Sequence, residues 1–131
     1  MIDYEVKIFN NVYEVAAPLC AKNMFRSTQS EDLTAFPAAT LVELTNTTVR
    51  ERQSSTPGEN FARIAYQLDV YAQKRTECRK VFSEIDRRMM QLNFSRISGP
   101  FEPGLDNQKV FRYVARYEAE IDTDGRIYRI P

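Results

Sequence analysis

The sequence predicts an α+β fold, a mostly antiparallel sheet with two helices packed on one face and a long β-hairpin projecting from the sheet. Three observations predict it. Two segments, within 2–20 and 78–92, repeat apolar residues at steps of three and four, as a helix with one buried face requires. Two others, 64–71 and 110–121, alternate with the period of two of a strand. Turn-forming residues between the strand-like runs favour hairpin connections, and hence antiparallel pairing. With 131 residues, 43% of them hydrophobic and 27% charged, the chain reads as one globular domain over 1–131 that builds its core without disulfide staples.

In the first helix Ile2, Val6, Phe9, Tyr13, Ala16 and Cys20 share one face. A second stripe, Ile8, Val12, Val15 and Leu19, lies about 100° around it, so the apolar arc is wider than one sheet needs and a second neighbour is expected to cover it. Pro18 disfavours helical geometry at Ala17 and removes a donor, so the helix is expected to kink or stop there. A short run at Met24 to Arg26 and an acidic loop follow. Phe36-Pro37 then leads into Ala38 to Leu44, whose apolar and β-branched content suits a strand buried on both faces.

Thr45 to Asn60 is polar, without a core-building pattern, and reads as a hairpin arm with Thr56-Pro57-Gly58 turning near its tip. Beyond it Ile64, Tyr66, Leu68 and Val70 alternate with Ala65, Gln67, Asp69 and Tyr71, the pattern of a half-buried strand. Cys78, Val81, Phe82, Ile85, Met89 and Leu92 stripe a second helix whose back, Arg79, Lys80, Ser83, Asp86 and Arg87, is charged and solvated. Glu84 and Arg88 stand in the favourable order for an i,i+4 pair. Phe94 to Ser98 reads as a short strand ended by Gly99-Pro100, with Pro103-Gly104 marking a loop. Val110 to Ile121 places Phe111, Tyr113, Ala115, Tyr117, Ala119 and Ile121 on one core face. Asp122-Thr123-Asp124-Gly125 turns the chain into a last short strand, Arg126 to Ile130.

The composition narrows the chemistry. Eighteen basic residues balance eighteen acidic ones, so there is no global positive field to hold nucleic acid without regard to sequence. Thirteen of the bases are Arg, the residue favoured where interfaces hold carboxylates. Histidine is absent, which excludes Ser-His-Asp, Cys-His and HExxH mechanisms. The four glycines fall in predicted turns and form neither GxGxxG nor a P-loop. Cys20 and Cys78 match neither a CxxC pair nor a zinc cluster and read as small buried hydrophobes. Neither a cofactor nor a bound metal is expected. No apolar run approaches the roughly 18 residues of a membrane span, and Met1 leads directly into acidic residues rather than a signal peptide, so a reducing cytoplasm is the expected setting.

Two surfaces stand out as candidate contacts. In the arm, Thr48, Val49, Arg50, Glu51 and Arg52 suit a polar docking contact that orders on binding, with a solvated loop as the alternative. Glu118, Glu120, Asp122 and Asp124 alternate on one side of a strand and turn. They read in three ways: ligands for a hard cation, as in a small cation-dependent nuclease; a solvated face paired with Arg126 and Arg129 across the hairpin; or a face turned toward a partner or a pore. Arg112, Arg116 and the neighbouring tyrosines suggest a nucleic-acid platform, against which the aromatics are expected on the face opposite the arginines.

Taken in order, IDYEVKIFNNVYEVA, FPAATLVELTN, the polar hairpin ending in ENFARIAYQLDVYA, KRTECRKVFSEIDRRMMQLNF and KVFRYVARYEAEID resemble the tail terminator and tail-to-head joining proteins of long-tailed bacteriophages, also labelled tail completion or minor capsid proteins. These segments span nearly the whole chain. The resemblance implies a virion structural protein of the neck, assembled in the host cytoplasm, that forms a hexameric ring on the tail tube, stops tube growth and meets the head connector or stopper. DNA would pass through its lumen without being held. A head-completion or stopper role below the portal is the nearest alternative, and an adaptor docking through the hairpin is another.

Overall fold

The structure, a computed structural model, describes residues 1–20, 24–25, 36–49, 60–103 and 110–130. Its elements are α1 (Glu5–Ala16), β1 (Met24–Phe25), β2 (Ala38–Thr48), β3 (Phe61–Ala72), α2 (Arg75–Gln91), β4 (Ser95–Phe101), β5 (Phe111–Asp122) and β6 (Ile127–Tyr128). The strands form one sheet in the order β1-β2-β3-β5-β4, with β6 also on β5. All pairings are antiparallel except β1 with β2. The fold is α+β, and the short run at Met24 is, among the described residues, its one parallel strand.

Register decides which side chains face the helices. Ile64 stands opposite Ala119, Tyr66 opposite Tyr117, Leu68 opposite Ala115 and Val70 opposite Tyr113, so the alternations expected for β3 and β5 point to one face. That face, with Ala39 and Leu41 of β2, joins Ile8, Val12 and Ala16 of α1 and Cys78, Val81, Ile85 and Met89 of α2 in a single core. Both helices therefore cover the same side of the sheet. Tyr66 and Phe94 meet edge to face inside it, ring centroids 5.5 Å apart, a geometry that adds to area burial. Cys20 and Cys78 are free and buried, the Cys78 thiol donating to the Val70 carbonyl at 3.3 Å.

The two stripes of α1 have different fates. α2 packs against α1, and Arg88 Nη1 donates to Asn11 Oδ1 at 2.8 Å. Asn11 lies on the same side of its helix as Ile8 and Val15, so α2 meets the second stripe. Val6, Phe9 and Tyr13 turn to the opposite flank by the 100° step of the helix: Phe9 and Tyr13 are half-buried and Val6 is 55% exposed. The helix ends at Ala16 as Pro18 predicts. Ala17 nevertheless keeps helical angles, and the Leu19 and Cys20 amides both donate to the Ala16 carbonyl, which brings Cys20 back to the core.

Several boundaries differ from the sequence reading, each for a local reason. β2 continues past Leu44 to Thr48, because Thr45, Asn46, Thr47 and Thr48 pair with Ala65, Ile64, Arg63 and Ala62. The ladder passes a bulge at Leu44, so polarity there marks exposure and not the end of the strand. The Val49 amide still donates to the Phe61 carbonyl at 3.0 Å. The described part of the arm thus belongs to the sheet, and the tip, with Arg50, Glu51 and Arg52, lies outside the described residues. β4 runs through Gly99-Pro100, absorbing both in register shifts. Gly99 has φ +85°, and a Cβ there would meet the Val114 carbonyl oxygen at 2.4 Å, so only glycine lets β4 lie this close to β5. On α2 Glu84 pairs with Arg87 at 3.6 Å instead of Arg88, which Asn11 engages.

Candidate interface surfaces

The sheet face away from the helices is where the predicted acidic row falls. Here β3 contributes Phe61, Arg63, Ala65, Gln67, Asp69 and Tyr71, and β5 contributes Asp122, Glu120, Glu118, Arg116, Val114 and Arg112 opposite them in turn. The arginines do lie on the face opposite Tyr113 and Tyr117. The acids are not one convergent cluster. Arg63 of β3 pairs with Glu120 at 3.6 Å, whereas the sequence pointed to Arg126 and Arg129. Arg126 instead offers its backbone amide to Asp122, at 2.9 Å, and Arg129 Nη2 donates to the Met90 carbonyl at 2.7 Å. Asp122 is a turn anchor: its Oδ1 also accepts the Asp124 amide and its Oδ2 the Tyr128 hydroxyl. The Arg126 amide bond, first of these, draws its carboxyl below the usual carboxylate range. Glu118 has no ion pair among the described residues. Among those residues, no three of the Cys, Asp and Glu side chains come together closely enough to hold a metal ion.

A polar network that the sequence reading missed occupies the other half of this face. Asp69, on the central strand and only 2% exposed, accepts from Arg112 Nη2 and Nε at 2.5 and 3.1 Å, from Tyr71 Oη at 3.3 Å and from Gln67 Nε2 at 2.9 Å. Arg116 Nε extends the chain to Gln67 Oε1 at 3.2 Å. A buried carboxylate is tolerated when its lone pairs are met by charged and neutral donors in this way. β3 is consequently buried on both faces over much of its length, not half-buried. The alternation Gln67, Asp69, Tyr71 was visible in the sequence, but the matching Arg112 and Arg116 become partners only through the β3–β5 register.

The two edges of the layer carry a different chemistry. At one, β4 borders a groove of about 510 Å³ lined by Arg79, Phe82, Asp86, Arg96, Phe101 and Tyr113 among others. Asp86, read as part of a solvated helix back, accepts from Tyr117 Oη at 2.6 Å and pairs with Arg96 at 3.1 Å. Burial, and after it Asp86, pushes the Tyr117 hydroxyl far above its ordinary pKa. Arg75 pairs with Glu102 at 3.3 Å, and Arg79 has no partner among the described residues. Ile97 and Phe101 are 52% and 49% exposed here.

At the other side of the sheet, among the described residues, β2 pairs with β1 at Ala39 and Thr40. The N-terminal segment is tied to β2 by Asn46 Nδ2 donating to the Ile2 carbonyl at 2.7 Å, and to the β5–β6 turn by Tyr4 Oη donating to the Thr123 carbonyl at 2.7 Å. Glu43 is on the helix side, 3.5 Å from Tyr66 Oη. Burial, then the nearby Glu5 and Asp3 carboxylates, raise its pKa from 4.5 to about 7. Neither Asp3 nor Glu43 forms an ion pair among the described residues. Leu44, at the β2 bulge, is 43% exposed, and Val6, on α1, is 55% exposed beside Asp3 and the exposed Lys7.

No protein-family model matches the chain, and no curated protein matches it.

Proposed function

We propose that this chain is a structural subunit of the neck of a long-tailed bacteriophage, a tail terminator that assembles with copies of itself into a ring, probed best as a hexamer, on the end of the tail tube and meets the head connector. The reading rests on the resemblance in segment order. The observation that carries it further is the set of exposed apolar side chains: Val6 on α1, Leu44 at the β2 bulge, and Ile97 and Phe101 on the edge strand β4. Two of them share the edge strand β4, and an exposed apolar edge of this kind suits a subunit that meets a neighbour there. In this reading Glu118 is the acidic side chain best placed to face the lumen, since Arg63 pairs with Glu120 and the β5–β6 turn engages Asp122. Among the described residues these acids do not gather as the cation-dependent nuclease reading asks.

The test is electron microscopy of the phage that encodes the chain, with a gold-labelled tag on the protein and, in parallel, a strain that lacks it. Label at the head–tail junction, and tails of uncontrolled length beside unjoined heads in the deletion, are expected. Normal tails in the deletion strain overturn the reading; label within the tail shaft or on the head shell does so equally. A stopper role predicts tails of correct length that fail only to join filled heads.

A further inference from the structure

Residues 1–4 form a strap that is tied down at a few points. Ile2, only 6% exposed, joins the core, and its carbonyl accepts the Asn46 side-chain amide at 2.7 Å. Tyr4 Oη donates to the Thr123 carbonyl at 2.7 Å, and its ring lies against Gly125, where a Cβ would stand 2.7 Å from it. Met1 and Asp3 are exposed. Glu43 and Asn46 stand opposite Tyr66 and Ile64 of β3 and so share the helix side of β2, where the strap crosses. We propose that this strap is a pH-sensitive latch: a carboxyl proton held at Glu43 closes it on β2, and loss of that proton loosens residues 1–4 while the rest of the sheet stays intact.

Among the described residues, the titratable groups that bear on Glu43 are Glu5 of α1, Asp3 of the strap and Tyr66 of β3. The Glu5 carboxyl is hydrogen-bonded to that of Glu43, and Tyr66 Oη lies 3.5 Å from Glu43 Oε1. Ionised carboxylates only accept, so a bond between two carboxyl groups needs a proton on one of them. Burial, and after it Glu43, push the Tyr66 hydroxyl far above its ordinary pKa, so it remains a neutral donor throughout. Lys7, the base that follows on α1, lies over the Tyr4 ring, 5.9 Å from its centre. Asp3 Oδ1 accepts the Glu5 amide at 3.3 Å, which keeps its charge at the head of α1.

Protonated, Glu43 joins the head of α1 to β2. Ionised, it sets like charges side by side where part of the water has been removed: burial first, then Glu5 and Asp3, oppose that state and raise the pKa from 4.5 to about 7. β2 is fixed by its ladder to β3, and α1 beyond its first turn by Ile8, Val12 and Ala16 in the core. Relief therefore comes from the strap, the part held by fewest bonds. Asn46 weighs the same way. Its Oδ1 is buried with no hydrogen-bond partner among the described residues, and opening the strap returns water to that unmet acceptor. The closed form holds a proton that the open form, with Glu43 in water, releases, so closure is complete below pH 4.5 and weakens as pH rises through about 7.

Hydrogen exchange followed by NMR tests the latch. The Asn46 side-chain amide, bonded to the Ile2 carbonyl, and the Ile8 backbone amide, bonded to the Tyr4 carbonyl at 2.9 Å, report the strap; the ladder amides of β3 and β5 report the rest. After correction for the base catalysis that speeds all exchange, the two strap reporters should exchange about fivefold faster or more at about pH 8 than at about pH 5.5, with the ladder amides unchanged. Glu43→Gln keeps a neutral donor at every pH and should hold the strap closed at both. Glu5→Gln, at the head of α1, removes one of the opposing charges and should shrink the ratio, which keeps the test decisive if Glu43→Gln fails to fold. Equal corrected exchange at the two pH values in the wild type overturns the proposal. So does a pH ratio that survives in both variants, or one shared equally by β3 and β5, which would mark global unfolding. The isolated chain is what is measured, so the outcome is independent of the neck reading.

Discussion

Arg112→Ala should destabilise the fold more than any other single change on the sheet face away from the helices. Two charge-assisted bonds would be removed from an Asp69 that is only 2% exposed. Deleting one partner of a buried pair costs about 3–5 kcal/mol, because the other charge stays buried without compensation. Tyr71 and Gln67 still donate to Asp69, and the Arg112 side chain is itself 26% exposed, so the lower end applies, about 3 kcal/mol. For a domain of this size that is a fall in Tm of about 10 °C. Part of it is packing, since the guanidinium also lies 5.7 Å from the centre of the Tyr71 ring. A double-mutant cycle with Asp69→Asn isolates the electrostatic share, expected at about 2 kcal/mol of coupling. The assay is urea unfolding followed by circular dichroism on all four proteins. A loss below about 0.5 kcal/mol for Arg112→Ala, or a cycle that is additive, would show that the network is ornamental and refute the reasoning.

Three further outcomes follow from named contacts. Tyr117→Phe removes the 2.6 Å bond to Asp86 and should cost about 1.5–3 kcal/mol in the same unfolding assay; a neutral result would mean that Arg96 alone satisfies Asp86. Gly99→Ala sets a methyl against the Val114 carbonyl at 2.4 Å and at φ +85°, so hydrogen exchange should accelerate in β4 while β2 and β3 stay protected; uniform exchange would refute a local effect. Glu43 is raised from 4.5 to about 7, so the folded state holds its proton more tightly than the unfolded one. Its stabilising contribution is complete below pH 4.5 and lost as pH rises through about 7. Glu43→Gln should flatten the decline in stability across that window, and an unchanged slope would assign the decline to other groups.

The helical and strand periods carried most of the fold because one face of each element is apolar and one is not. Where both faces of a strand are buried, as at Asp69 and Tyr71 on β3, the period still places the residues but says nothing of what neutralises them. That information lies in register, which two strands forty residues apart do not declare locally. The same limit explains Glu120, whose partner Arg63 comes from β3 across the sheet when the nearest arginines in sequence are Arg126 and Arg129. It also explains β2: the polar run from Thr45 resembles a loop in composition, yet its backbone is a ladder to β3.

The acidic row and the arm stand out in the sequence because they are polar, and polarity is the weaker mark of a contact surface. A carboxylate beside an arginine on the same sheet is already satisfied, and a partner that displaced Arg63 from Glu120 would gain little for the bond it broke. Exposed apolar side chains are different, since each loses unfavourable contact with water whenever a neighbour covers it. In this chain Val6 on α1, Leu44 at the β2 bulge, and Ile97 and Phe101 on the edge strand β4 are such side chains. The face away from the helices, crossed by the Asp69 network and the Arg63–Glu120 pair, holds the two central strands β3 and β5 in register.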